Sequence, residues 1–122
     1  MKLLLPLLLI CLTFSAARAQ SVAPADGAQV VAAPDPTKPV QVVEASCGQC
    51  RLGLPGKSCD LAVRFGGQAY FVDGTTIDSH GDAHAKDGFC QTIRTAEVQG
   101  QVVNNRFVAS YFRLVPAPVK KP

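Results

Sequence analysis

Alternating apolar and polar positions predict two β-hairpins in the second half of the chain. In the first, residues 61–65 alternate large apolar side chains with small or charged ones, as a half-buried strand does. Gly66–Gly67 suits a tight turn, and residues 69–72 form the returning strand. With that turn Val63 faces Tyr70, so one face of the hairpin is apolar.

The second hairpin repeats this pattern near the end of the sequence. Residues 98–102 alternate, Asn104–Asn105 tolerates the left-handed conformations of a turn, and residues 107–111 return. Gly100 opposite Ala109 leaves little side-chain volume, which predicts a bend or a close approach of the strands. The expected facing pairs are Val102–Phe107, Gly100–Ala109 and Val98–Tyr111.

A first strand and one helix complete the predicted fold. The β-branched run Val40–Val43 suggests the strand. Asp87 is a candidate helix N-cap, and apolar residues follow it at three- and four-residue spacings, namely Phe89, Cys90, Ile93 and Ala96. The resulting order predicts a mainly β fold with one short helix, an OB-like five-stranded barrel over residues 40–115. A small α+β sandwich is the alternative.

The N-terminal residues predict export. Leu3–Leu12 is almost wholly apolar after the charged Lys2, and Ala17–Ala19 has small residues where a signal peptidase cleaves, so residues 1–19 are expected to be a signal peptide. The apolar run is too short for a stable membrane anchor. We therefore expect a secreted or periplasmic protein with no stable membrane insertion after cleavage.

The remaining sequence limits the size of the domain and its partners. Residues 20–39 are rich in proline and alanine and are expected to form a linker, and residues 116–122 a tail. Removing Lys2 and Arg18 with the signal peptide leaves ten basic residues against nine acidic ones, a formal charge of +1. No basic stripe remains, so nucleic acid is not an expected partner.

Four cysteines remain after the predicted cleavage, namely Cys47, Cys50, Cys59 and Cys90. An even number in a small exported domain favours two disulfides, and the sequence does not select among the three connectivities. The same four residues could instead complete one tetrahedral zinc site, although a zinc ribbon normally supplies a second CxxC pair.

A second candidate metal site lies in residues 78–87. His80 and His84 share a face in either a helix or a strand, with Asp82 between them, so they could hold zinc or copper with or without the cysteines. A solvated polar loop is the alternative. No other cofactor is expected.

Thiol catalysis is disfavoured, and no catalytic residue is assigned. In thioredoxin-like enzymes the first cysteine of the CxxC motif begins a helix, whereas residues 51–56 are unlike a continuing helix. Cys90 with His84 or His80 could form a nucleophile–base pair, but the sequence offers no obvious oxyanion loop.

Several segments together resemble a family of short exported bacterial proteins that is known as a domain of unknown function. These segments are Ser46–Cys50, Leu54–Val63, Ala69–Gly74, His80–His84, Gly88–Cys90 and Glu97–Gly100. The resemblance covers residues 43–115 and implies a bacterial exported protein, but it assigns no activity. We expect a non-enzymatic binding or structural domain with an unknown envelope or extracellular partner.

Overall fold

The computed structural model describes residues 33–118. The predicted signal peptide lies outside the described residues, as do most of the predicted linker and the last four residues of the tail. The described elements, in chain order, are β1 (Gln41–Cys47), α1 (Gly48–Arg51), β2 (Leu61–Phe65), β3 (Gln68–Asp73), a 3-10 helix (Ile77–His80), β4 (Arg94–Val103) and β5 (Arg106–Leu114).

The five strands form a closed barrel in the order β1-β2-β3-β5-β4. Strand β1 pairs with both β2 and β4, which closes the barrel, and every pairing is antiparallel except that of β3 with β5. The expected OB-like five-stranded barrel is therefore confirmed. An open sandwich would leave two sheet edges, and closure pairs them instead.

The barrel interior is filled by inward-facing side chains from every strand. Phe107 and Phe112 of β5 are the largest of them and are almost completely buried. They pack against aliphatic residues of the other strands, including Val43, Ala45, Leu61, Val63, Val72, Ala96 and Val98. Burial of these side chains is the main force that stabilises so small a fold.

Both predicted hairpins are present, and one contains a bulge. Val63 pairs with Tyr70 as expected, and so does Gly100 with Ala109. The register then shifts, so that Ser110 has no direct partner and Val98 faces Phe112 rather than Tyr111. A Cβ at Gly100 would clash with the Val108 carbonyl oxygen, which explains why glycine stands where the strands bend.

The helix predicted from Asp87 onwards is wrong. Residues 82–92 form turns, and β4 already begins at Arg94. Gly88 lies in the middle of the segment, where a Cβ would clash with the carbonyl oxygens of residues 82 and 83. The helical spacing of Phe89 and Ala96 arose by coincidence, since Phe89 enters the core from a turn and Ala96 from a strand.

The bulge turns Gln99 out of the barrel and under the N-terminal arm, residues 33–39. Its side-chain amide accepts a hydrogen bond from Asp35 N and donates to the carbonyl oxygens of Asp35 and Lys38, at 2.8–2.9 Å. These bonds satisfy a polar side chain that is 2% exposed. Within residues 33–118 no helix has the length and apolar character needed to cross a membrane.

Candidate metal centre

The first two cysteines belong to a tight turn at the end of β1. Cys47 is the last residue of the strand and the N-cap of α1, and its Sγ accepts a hydrogen bond from Cys50 N at 3.2 Å. The turn lies directly on the barrel, because a Cβ at Gly48 would stand 2.7 Å from the Phe71 ring and 3.0 Å from the Ala62 methyl. Glycine therefore allows the CxxC turn to pack closely against β2 and β3.

The helix that begins at the CxxC motif is a single turn, and the residues after Arg51 do not continue it, as the sequence predicted. Cys47 caps α1, but that helix has four residues and ends at Arg51. Leu52 follows as the C-cap, and Gly53 then adopts a positive φ of 71°. A single turn contributes little of the macrodipole that lowers a thiol pKa in redox enzymes.

The loop that carries Cys59 is held against this turn by one glutamine. Gln49 accepts a hydrogen bond from Asp60 N at 3.0 Å and donates to the Asp60 carboxylate at 2.6 Å. Gly48 N also donates to the Asp60 carbonyl oxygen at 2.8 Å. Hydrogen bonds from Ser58 and Gln49 hold the pKa of Asp60 below its ordinary value. Residue 59 is therefore fixed beside the CxxC turn.

The segment that carries Cys90 is attached to β1 by hydrogen bonds. Cys47 N donates to the Phe89 carbonyl oxygen at 3.1 Å, and the buried Ser46 hydroxyl donates to the same oxygen at 2.7 Å and to that of Thr92 at 2.9 Å. Arg51 adds a bond to the Cys90 carbonyl oxygen at 3.2 Å. Backbone and side-chain donors of the CxxC region thus place Cys90.

The four sulfur atoms come together in one cluster. The Sγ atoms of the four cysteines predicted as ligands or disulfide partners all lie within 4.8 Å of one another. Cys47 and Cys50 are at disulfide distance, with Cα atoms 5.2 Å apart, and the sulfurs of Cys50 and Cys59 are 3.7 Å apart. We call this group the cysteine cluster, and residues 48–60 and 81–93 the cysteine loops.

The cluster extends from the barrel interior to the surface. Cys47 is 0% exposed, Cys90 is intermediate, and Cys50 and Cys59 are exposed. Burial raises the pKa of the Cys90 thiol, helped by the adjacent Cys59 sulfur and the charge of Asp78, while Arg51 opposes them. A raised pKa is the reverse of what an activated nucleophile needs, and an ion binding here must displace a proton.

The histidines are arranged differently. His80 Nε2 is hydrogen-bonded to the Thr75 hydroxyl at 2.8 Å, and its ring packs on Phe112 with centroids 4.6 Å apart. Asp82 Oδ1 accepts a hydrogen bond from His84 N at 2.9 Å, as in a polar turn. Within the part of the chain that the structure describes, the four cysteines bring their ligand atoms together, whereas His80, Asp82 and His84 do not form a metal-binding cluster.

The convergence of the cysteines follows from the barrel topology. Strand β1 pairs with β2 on one side, with Cys47 opposite Leu61, and with β4 on the other, with Ala45 opposite Arg94. Cys59 and Cys90 precede those partner strands by a few residues, so both fall near the end of β1. The predicted strand order therefore already indicated that Cys59 and Cys90 could meet near Cys47. The residues that position them, Ser46, Gln49 and Arg51, have no recognisable sequence pattern.

Comparison with protein families gives a match to the barrel domain. A family model described as a family of unknown function (DUF6370) matches residues 41–115, which spans the barrel and both cysteine loops. Neither the curated proteins nor the solved structures provide a match.

Proposed function

The chain belongs to this family of unknown function, DUF6370, and we propose that it is a non-enzymatic domain that binds one zinc or copper ion at its cysteine cluster. The observation that carries the proposal is the convergence of four Sγ atoms within 4.8 Å, from three separate segments of the chain. Two disulfides would require proximity only within each pair, whereas an ion requires all four sulfurs together.

The distances suit a tetrahedral thiolate site. With metal–sulfur bonds of about 2.3 Å, neighbouring sulfurs of a tetrahedron lie about 3.8 Å apart. The Cys50 and Cys59 sulfurs are 3.7 Å apart, and no pair in the cluster exceeds 4.8 Å. The Cys47 and Cys50 sulfurs, at disulfide distance, have to be reduced and separate before both can bind the ion. Small side-chain rotations are sufficient to complete such a site, because the backbone already brings the four residues together.

The donor set favours a soft or borderline ion. Thiolates select zinc and monovalent copper over the hard ions magnesium and calcium. Bound thiolates carry negative charge, which the Cys50 N–H donated to Cys47 Sγ and the Arg51 guanidinium beside Cys90 partly balance. Four protein ligands fill a tetrahedral zinc site and leave no position for a substrate, which supports a structural or storage role.

The proposal includes export to the periplasm or the cell exterior, on the basis of the signal peptide predicted at residues 1–19. The disulfide-distance pair Cys47–Cys50 is compatible with an oxidising compartment. An envelope or extracellular protein remains the proposed partner, and the formal charge of +1 after cleavage does not favour nucleic acid.

Cobalt titration tests the site. The chain, in the mature form that its cell produces, is reduced anaerobically and titrated with Co²⁺, whose thiolate charge-transfer bands report sulfur ligation. We expect saturation at one ion per chain, displacement by zinc, and weaker bands with lower affinity in Cys59→Ser and Cys90→Ser.

The matched controls are the histidine variants His84→Ala and His80→Gln. Both should bind Co²⁺ as the parent does, with circular dichroism confirming the fold. If the histidine variants lose Co²⁺ binding while the cysteine variants bind as the parent does, the histidines and not the cysteines are the ligands. Absence of thiolate bands in the reduced parent would refute the proposal.

A domain held by two disulfides is the second candidate, because Cys47 and Cys50 are at disulfide distance and Cys59 lies beside Cys90. Peptide mapping of the natively purified protein, with thiols blocked at lysis, distinguishes it. Stoichiometric Cys47–Cys50 and Cys59–Cys90 linkages without bound metal would favour this candidate.

A further inference from the structure

The cysteine cluster contains two arrangements of the same atoms. All four Sγ atoms are close enough to share an ion, and two of them, those of Cys47 and Cys50, are at disulfide distance. A sulfur in a disulfide is no longer a thiolate ligand, so the two arrangements exclude each other. An oxidant that joins this pair therefore removes half of the ligand set.

We propose that metal binding by the cysteine cluster is controlled by oxidation, with closure of the Cys47–Cys50 disulfide releasing the ion. The inference rests on the proposed function and adds its regulation. The oxidant is a small-molecule or protein disulfide, which accepts the two electrons.

Burial sets the order of the chemical steps. Cys50 is exposed, whereas Cys47 is 0% exposed, so within this pair an incoming disulfide RSSR reaches Cys50 before Cys47. The Cys50 thiolate attacks one sulfur of RSSR, which forms a mixed disulfide and releases RS⁻. The Cys47 thiolate then attacks the Cys50 sulfur, which forms the intramolecular disulfide and releases the second RS⁻. Two protein thiolates have lost one electron each, and RSSR has gained both.

The ion leaves because its remaining ligands are too few. After closure only the sulfurs of Cys59 and Cys90 remain as ligands, and two thiolates hold the ion less tightly than four do. Two protons taken up by these thiolates complete the balance.

Geometry favours the Cys47–Cys50 pair over a disulfide with Cys59. The Cα atoms of residues 47 and 50 are 5.2 Å apart, within the range for disulfides, and the hydrogen bond from Cys50 N–H to Cys47 Sγ fixes the turn. The Cys50 and Cys59 sulfurs are 3.7 Å apart, which is a non-bonded separation.

The test measures zinc release and disulfide formation in the same sample. The protein as its cell processes it is reduced, loaded with zinc and treated with oxidised glutathione. A chromogenic zinc indicator follows release, while quenched aliquots are mapped for disulfides. We expect one zinc released per Cys47–Cys50 disulfide formed, and recovery of binding after reduction.

A variant tests the order of attack. In Cys47→Ser the resolving sulfur is absent, so glutathione should accumulate as a mixed disulfide on Cys50. In Cys50→Ser no glutathione should accumulate on the buried Cys47. The proposed order of steps is wrong if Cys47 in Cys50→Ser forms a mixed disulfide with glutathione as fast as Cys50 does in Cys47→Ser.

The outcomes separate this inference from the proposed function. If the reduced chain binds no zinc, the proposed function fails and the inference fails with it. If zinc binds but remains bound when the Cys47–Cys50 disulfide has formed, the proposed function stands and the inference is wrong. Release that accompanies a Cys50–Cys59 or Cys59–Cys90 disulfide instead would also overturn it.

Discussion

The β4–β5 hairpin and the cysteine loops are held by different interactions. The hairpin is a long antiparallel ladder whose inward side chains, Phe107 and Phe112 among them, are buried in the core. The cysteine loops have one helical turn and are positioned by side-chain hydrogen bonds and by the sulfurs. The comparison indicates that the barrel is stabilised by burial, whereas the arrangement of the loops depends on a few polar contacts and on the state of the cysteines.

Truncating a core side chain of the hairpin should give the largest loss of unfolding free energy. Phe107→Ala removes a side chain that is 1% exposed, and a cavity of this kind costs about 3–5 kcal/mol of unfolding free energy. Urea denaturation should show this loss equally with zinc, without zinc and after oxidation. Val108→Ala, at a neighbouring position that is 39% exposed, should change the unfolding free energy by about 0.5 kcal/mol or less. Similar losses in both variants would contradict the assignment of the core.

Removing the metal should affect the loops more than the hairpin. Chelation of a zinc-loaded, reduced sample should abolish slow hydrogen exchange at residues 48–60 and 81–93 while the strands keep their protection. The linked loss of stability is about 2.7 kcal/mol when free zinc is at a hundred times its Kd. Simultaneous loss of protection in the β4–β5 hairpin would show that the two regions are not separable.

Weakening one polar contact should reduce metal affinity without unfolding the barrel. Gln49→Ala removes the side chain that bonds both Asp60 N and the Asp60 carboxylate and so frees the loop that carries Cys59. Loss of such supporting contacts weakens metal binding roughly 10–100-fold. Gln68→Ala is the matched control, since this exposed side chain makes only a 3.5 Å contact with the Ala69 carbonyl oxygen. Equal zinc affinities for the two variants would refute a positioning role for Gln49.

Acidification should give the smallest change in stability. Burial lowers the pKa of His80 below its ordinary value of 6.5, so the unfolded chain binds a proton that the folded chain resists. This contribution to stability is complete above pH 6.5 and is lost progressively as the pH falls towards the folded pKa. Thermal unfolding of the metal-free protein between pH 7.5 and 5 measures it, since protons also compete with a bound ion. The loss of stability on acidification should be smaller in His80→Gln than in the parent and unchanged in His84→Ala. An equal loss in the parent and both variants would show that His80 is not its source.

The fold was more predictable than the site because strand periodicity is a local property. Alternation and turn residues predicted both later hairpins and the barrel order, and Gly100 predicted the bend in β4. The helix prediction failed because Phe89 and Ala96 happen to lie at a helical spacing although each enters the core from a different element. Gly88, which packs against the carbonyl oxygens of residues 82 and 83, was the opposing signal.

The site was predicted only as a set of alternatives. The sequence identified the four cysteines but did not select between disulfides and a metal, because that choice depends on distances between segments far apart in the chain. Cys90 follows Cys47 by 43 residues and reaches it through the pairing of β1 with β4. The spacing of His80, Asp82 and His84 is local, yet it did not indicate that His80 would pack against Phe112.

Native mass spectrometry of the anaerobically purified protein, without added metal, shows whether the cysteine cluster holds an ion. We expect one zinc or copper ion per chain, lost on acid denaturation to give a chain with all four cluster thiols reduced. A chain lighter by four hydrogens and free of metal would show that two disulfides, and not an ion, occupy the cysteine cluster.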